Sequence, residues 1–213
     1  MQRHINFPRK ISRFAIASLA AIGLINSFSN PAIAQEKFDN NGILFELDTI
    51  IEFEFLESNG AYQSTFGVVN LETGEKTPLL VEVKPADWAQ TVQHSSDYED
   101  DAGASNQNDF KGTPGNTVPQ PLLAFEFKAN TPYAFYLESS LNGRPAGIVY
   151  SINQQNPGRN QQTKFQGNLS DLGKGGILLR WDDTGSALVR PTDQDNDFDD
   201  FIIGIGGYLE CPF

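Results

Sequence analysis

The chain has 213 residues, of which 15 are basic and 27 acidic, so its net charge at neutral pH is −12. Nucleic acids and anionic lipid surfaces bind basic patches, and so acidic a chain excludes both as partners. It suits calcium, neutral sugars or basic partners instead. A single cysteine, Cys211, cannot form an intrachain disulfide, and a chain of this length folds around one core without it.

The first 34 residues have the pattern of a secretory signal peptide. Basic residues at positions 3, 9, 10 and 13 precede an apolar stretch over residues 14–25, and Ala32-Ile33-Ala34 then supplies small residues around a cleavage point. The apolar stretch is shorter than a confident membrane span. We therefore predict cleavage after Ala34 and a secreted or periplasmic mature chain of residues 35–213, with no stable membrane insertion after cleavage.

The predicted mature chain consists of strands joined by turns. Ile51, Phe53 and Phe55 alternate with Glu52 and Glu54, which is the period-2 pattern of a half-buried strand. Runs of this kind predict about nine strands, at residues 43–47, 50–56, 65–70, 77–83, 122–127, 133–137, 148–152, 176–181 and 201–205. We expect the third and fourth to form a hairpin. The sixteen Phe residues fit the space between two packed sheets. The predicted fold is all-β: one domain forming an antiparallel, jelly-roll-like β-sandwich.

Residues 85–120 interrupt the strand pattern. Residues 85–92 allow at most a short helix, with Trp88 as a core side chain. Residues 94–120 are rich in Asp, Asn, Gly, Ser and Pro, and this composition predicts one long, polar, acidic loop. His94 is the only histidine outside the predicted signal peptide. We assign it no catalytic or zinc-binding role.

A second acidic segment lies near the C-terminus and is the strongest candidate for a binding site. It has five carboxylates in eight residues, directly before an apolar run. Calcium binds six to eight oxygens at about 2.3–2.6 Å, and a curled acidic loop supplies them. A solvated turn is the alternative. An EF-hand is excluded, because counting from Asp193 the sixth and twelfth positions hold Phe198 and Gly204 instead of Gly and Glu. The predicted calcium ligands from this pattern are Asp193, Asp195, Asp197, Asp199 and Asp200.

Three segments of the sequence carry a resemblance to a known family. They are Phe55-Leu-Glu-Ser-Asn-Gly-Ala-Tyr-Gln-Ser-Thr-Phe-Gly-Val-Val-Asn70, Leu179-Arg-Trp-Asp-Asp-Thr184, and Asp195-Asn-Asp-Phe-Asp-Asp200 followed by Phe201-Ile-Ile. Together they resemble the exported bacterial module known as domain of unknown function 4114 (DUF4114). The resemblance implies a β-rich, calcium-linked extracellular module of adhesin-like proteins, with no established enzymatic activity. It also implies Asp195, Asp197, Asp199 and Asp200 as ligands, with Asp182 and Asp183 as cross-strand candidates.

Three classes of function stay open from the sequence. The first, which we predict, is a non-catalytic, exported calcium-binding β-sandwich with a surface-associated or adhesive role and an extracellular glycan or protein as partner. The second is a carbohydrate-binding module that stacks sugar rings on Trp181, Tyr62 or Tyr136. The third is a hydrolase with a carboxylate pair such as Asp182 with Asp183 or Glu138, which requires a separation of about 5–10 Å.

Overall fold

Eleven strands are present in the computed structural model, which describes residues 36–60, 62–87, 111–174, 176–183 and 197–210. In chain order they are β1 (Lys37–Asp39), β2 (Gly42–Leu44), β3 (Thr49–Ser58), β4 (Gln63–Asn70), β5 (Lys76–Val81), β6 (Leu122–Phe127), β7 (Tyr133–Leu141), β8 (Arg144–Tyr150), β9 (Thr163–Gln166), β10 (Ile177–Trp181) and β11 (Phe201–Glu210). Between them lie three short 3-10 helices, Asn153–Gln155, Pro157–Arg159 and Leu169–Asp171.

The strands form two antiparallel sheets. The six-stranded sheet has the order β1-β2-β7-β4-β5, with β8 also paired to β7, and the five-stranded sheet has the order β6-β3-β11-β10-β9. The predicted all-β fold is confirmed, and each of the predicted strands corresponds to an observed one. The predicted hairpin is present as the antiparallel pair β4 and β5. Strands β1 and β9 were not predicted, because three or four residues are too few to establish an alternating pattern.

The core lies between the two sheets and is largely aromatic. Ile51, Phe53 and Phe55 are fully buried on the inner face of β3, as their alternation predicts. The Phe53 ring meets that of Phe66 across the sheets, with 5.6 Å between centroids, and Phe66 in turn contacts Trp181 at 6.2 Å. Burial of each such side chain contributes about 1.5–3 kcal/mol, so this interface dominates the stability of the fold.

Residues 111–120 are the described part of the predicted 94–120 loop, and they pack against the sandwich. Val118 is buried in the core, and Gly112 forms a bridge with Ser58. Of the predicted short helix, residues 85–87 form bends and a turn. Residues 88–92 with Trp88, residues 94–110 with His94, and the predicted signal peptide lie outside the described residues. All described residues belong to one compact unit, Ile33–Phe213. Within the part of the chain that the structure describes, no helix is both long enough and apolar enough to cross a bilayer.

The Asp87 side chain holds residues 111–120 against the sandwich, and we expect a variant without this carboxylate to be less stable. The Asp87 carboxylate accepts hydrogen bonds from the Thr113 backbone N–H at 3.1 Å, the Thr113 hydroxyl at 2.8 Å and the Thr117 hydroxyl at 2.7 Å. Partial burial raises the pKa of Asp87, but these bonds outweigh it and lower the pKa. Asp87→Ala should destabilise the fold by about 1–2 kcal/mol in urea unfolding, whereas Asp39→Ala should cost less. Equal losses would show that the three hydrogen bonds of Asp87 contribute no more than the one turn hydrogen bond that Asp39 accepts from the Asn41 N–H.

Candidate functional site

The pairing of β10 with β11 brings the two predicted acidic segments to the same end of the five-stranded sheet. Trp181, the last residue of β10, is directly opposite Phe201, the first residue of β11. Because the strands are antiparallel, the residues after Trp181 lie beside the residues before Phe201. On its other side Phe201 is opposite Ser58 at the end of β3, so residues 58–60 reach the same place.

Five aspartates meet there, and we call them the acidic cluster: Asp182, Asp183, Asp197, Asp199 and Asp200. The Asp183 backbone N–H donates to Asp200 Oδ2 at 2.8 Å, and the Asp199 N–H donates to Asp197 Oδ1 at 3.1 Å. Asn59 anchors the segment from β3: its side-chain amide donates to the Asp199 carbonyl oxygen at 3.1 Å, and its backbone N–H donates to the Asp200 carbonyl oxygen at 3.2 Å.

Three of the five aspartates are buried. Asp182, Asp183 and Asp200 are 0%, 6% and 8% exposed. The pKa of Asp197 is raised to about 7, first because burial penalises its charged form, then because the Asp199 carboxylate contacts it, with a further contribution from the charge of Asp182. The raised pKa of Asp197 shows that it lies close to other carboxyl groups of the acidic cluster.

Phe198 and Phe201, which lie on either side of Asp199 and Asp200, are both buried but in different ways. Phe201 is fully buried in the core between the sheets. Phe198 is 7% exposed, and the Lys164 ammonium of β9 lies over its ring at 3.7 Å from the centroid. The φ angle of Phe198 is 68°, an uncommon value for a bulky residue. This turn directs the flanking aspartates and the ring to different neighbours.

Sequence reasoning missed one buried acid, Glu82, which follows β5. It is 1% exposed and accepts hydrogen bonds from the Ser58 hydroxyl and from the Ser64 backbone N–H, the latter at 2.6 Å. Burial raises its pKa to about 8 against the lowering effect of those bonds, and the charge of Asp183 raises it further. The signal was present in the alternation, because Glu82 is two residues after Leu80, which is fully buried.

The structure brings together five of the seven predicted ligands, and the remaining two, Asp193 and Asp195, lie outside the described residues. Within the described ranges, no set of three or more His, Cys, Asp or Glu side chains has the arrangement of a metal site. The five aspartates of the acidic cluster are neighbours at the ends of β10 and β11, but their described side chains alone do not form a metal site.

The aromatic residues considered for sugar binding and the acidic residues considered for hydrolysis are not placed as those two functions require. Trp181 and Tyr136 are 0% and 3% exposed, so neither presents a ring to a sugar, and Tyr62 is only partly exposed. Glu138 is exposed on β7 in the six-stranded sheet, where it forms an ion pair with Lys76 at 3.7 Å. The acidic cluster contains the other two proposed acids, Asp182 and Asp183, side by side in the chain and both buried.

Comparison with protein-family models, with curated proteins and with solved structures gave no match to this chain. The resemblance to DUF4114 carried by residues 55–70, 179–184 and 195–203 accordingly stays a prediction.

Proposed function

We propose that this protein is a non-catalytic, exported calcium-binding β-sandwich. The observation that carries the proposal is the placement of Asp182 and Asp183, directly after β10, beside Asp200, directly before β11, with the Asp183 N–H donating to Asp200 Oδ2 at 2.8 Å. A metal ion bound by such carboxylates is one of the interactions that offset the cost of burying them. A donor set made of carboxylate and backbone oxygens suits hard cations such as calcium, magnesium and manganese, and among these calcium accepts the larger and less regular sets of oxygens.

The residues present fit calcium by chemistry. The acidic cluster offers only hard oxygen donors, and Asn59 and the backbone carbonyls of Asp199 and Asp200 lie in the same region. Asp193 and Asp195 would add two further carboxylates from the preceding segment. Calcium would supply positive charge here, and the chain's own residues would hold it by their carboxylate oxygens.

The consequence proposed for the fold is a fixed start of β11. Asp199 and Asp200 precede Phe201, which joins β10 to β3 through its pairing with Trp181 and Ser58. A cation that joins the aspartates before β11 to those after β10 would hold all three strand ends together. We propose that the stabilised sandwich serves a surface-associated or adhesive role outside the cytoplasm, with an extracellular glycan or protein as partner.

Calorimetric titration of the protein with calcium tests the proposal. We expect saturable binding with a dissociation constant of about 10⁻⁴–10⁻³ M, the range of extracellular calcium modules, and weaker binding of magnesium. Because the pKa of Asp197 is about 7, affinity should fall as the pH is lowered below 7 and calcium competes with a proton. The absence of binding heat at all calcium concentrations up to ten millimolar or so would contradict the proposal.

A further inference from the structure

A concave site lies on the outer face of the five-stranded sheet. It is an open trough of about 810 Å³, within the range of ligand-binding clefts. Its floor is the middle of β11, where Gly204 and Gly206 leave the backbone uncovered. The trough differs from the acidic cluster in its lining residues, and none of the five aspartates lines it.

The two floor glycines are not required by the backbone or by close packing. Neither has a positive φ angle. A Cβ at Gly204 would come no closer than 3.8 Å to Glu54 and Leu56, and one at Gly206 no closer than 3.8 Å to Gly176. Glycine in a strand interior costs about 0.5–1 kcal/mol relative to alanine. The central strand β11 has this destabilising residue at two positions where packing does not require it. Glycine at such positions allows a ligand or another backbone to approach the strand closely.

Acidic and aliphatic side chains line the trough. Glu52 and Glu54 are opposite Gly206 and Gly204 in the register with β3, and both are exposed. Their Cα atoms are about 7 Å apart on the same face of β3, the Glu52 side chain lies against Gly207, and the ion pairs between described residues include neither glutamate. Leu122, which is 57% exposed, and Leu178 supply apolar walls. None of the described lining residues is aromatic, so the trough offers no stacking surface for a sugar ring.

We propose that this trough binds an extended segment of a basic protein, with lysine or arginine side chains directed to Glu52 and Glu54. The glycine floor admits a polypeptide backbone, and the leucines pack against the methylene stems of long basic side chains while the carboxylates meet their charged ends. The charge of −12 on the whole chain favours the approach of such a partner. The site requires no metal, so it stands or fails independently of calcium binding.

Fluorescence anisotropy with a labelled peptide of alternating lysine and valine tests this site directly. We expect saturable binding that weakens as the ionic strength rises, and no binding of the matched peptide with glutamine in place of lysine. The double variant E52Q/E54Q should lose affinity by about tenfold or more through its lost charges. Gly204→Leu, which fills the floor, should lose a similar factor while unfolding at an equal or higher temperature, because leucine is the better strand residue.

The matched control is E72Q/E75Q, which removes the same charge from the exposed turn between β4 and β5. We expect its affinity to equal that of the parent, which separates the trough from a general effect of net charge. Equal losses in the control and in E52Q/E54Q would overturn the proposal, as would unchanged binding by folded Gly204→Leu. Spermidine that binds as tightly as the peptide would show that small polyamines occupy the trough and would overturn the peptide assignment.

Discussion

We expect calcium to raise the midpoint of thermal unfolding, and Asp197→Ala and Asp199→Ala each to remove most of that rise. A ligand present at about a hundred times its dissociation constant adds about 2.7 kcal/mol to the free energy of unfolding. For a domain of this size, that corresponds to a rise of about 5–10 °C. The rise comes from binding to the folded state alone, because the aspartates before and after the β10–β11 pair come together only when the strands pair.

The effect of Asp197→Ala on stability should change sign between calcium and chelator, which makes the test specific for a metal site. Asp197 lies among other carboxylates with its pKa raised to about 7, so its removal relieves burial and repulsion in the absence of metal. Asp197→Ala should therefore be as stable as the parent, or more stable, in chelator, and less stable than the parent in calcium. Differential scanning calorimetry of both proteins in both buffers measures this inversion.

The double variant E72A/E75A serves as the control, since the two carboxylates that it removes are exposed and distant in sequence from the acidic cluster. It should keep the full calcium-dependent rise. A rise that persists in both Asp197→Ala and Asp199→Ala would place the ion elsewhere in the molecule. Identical unfolding curves of the parent in calcium and in chelator would contradict a stabilising calcium site altogether.

The strands of this fold were predictable because their alternation is strong. In β3, Ile51, Phe53 and Phe55 face the core while Glu52 and Glu54 face outward, and the local pattern alone distinguishes the two faces. Pairing between strands distant in sequence was not predictable in the same way. The neighbours of β11 are β3 and β10, and the sequence contains no local signal for that order.

The sequence predicted the aspartates of the candidate site but not the neighbouring buried acid, Glu82. Asp197, Asp199 and Asp200 stand out because carboxylates crowd a short segment, and their approach to Asp182 and Asp183 follows once β10 pairs with β11. Glu82 belongs to another sheet and reaches the region through Ser58, a contact that depends on how the two sheets pack. Glu82 continues the alternation of β5 two residues after the buried Leu80, but exposed glutamates at the ends of strands are common, so the alternation alone did not indicate that it is buried.

Glu82 should make the stability of the protein depend on pH in a direction opposite to that of an ordinary paired carboxylate. The pKa of this group is raised from 4.5 to about 8 in the folded state, mainly by burial. Below pH 4.5 it is protonated in both states, and its favourable contribution is fully present. As the pH rises from 4.5 to 8 the unfolded chain releases the proton while the folded chain retains it, so stability falls by on the order of a few kcal/mol.

Glu82→Gln should remove this dependence, because glutamine has the shape of the protonated acid and never ionises. Its amide oxygen can accept from the Ser64 N–H, and its amide nitrogen can donate to the Ser58 hydroxyl, so the hydrogen bonds of Glu82 are replaced. Urea unfolding in chelator, at a series of pH values, should show a variant close to the parent near pH 5 and more stable than the parent near pH 9. Glu138→Gln removes an exposed carboxyl group from β7 of the six-stranded sheet and serves as the control. Its free energy of unfolding should depend on pH in the same way as that of the parent. A parent and a Glu82→Gln variant that lose stability equally between these pH values would show that Glu82 is ionised in the folded protein, and that polar surroundings outweigh its burial.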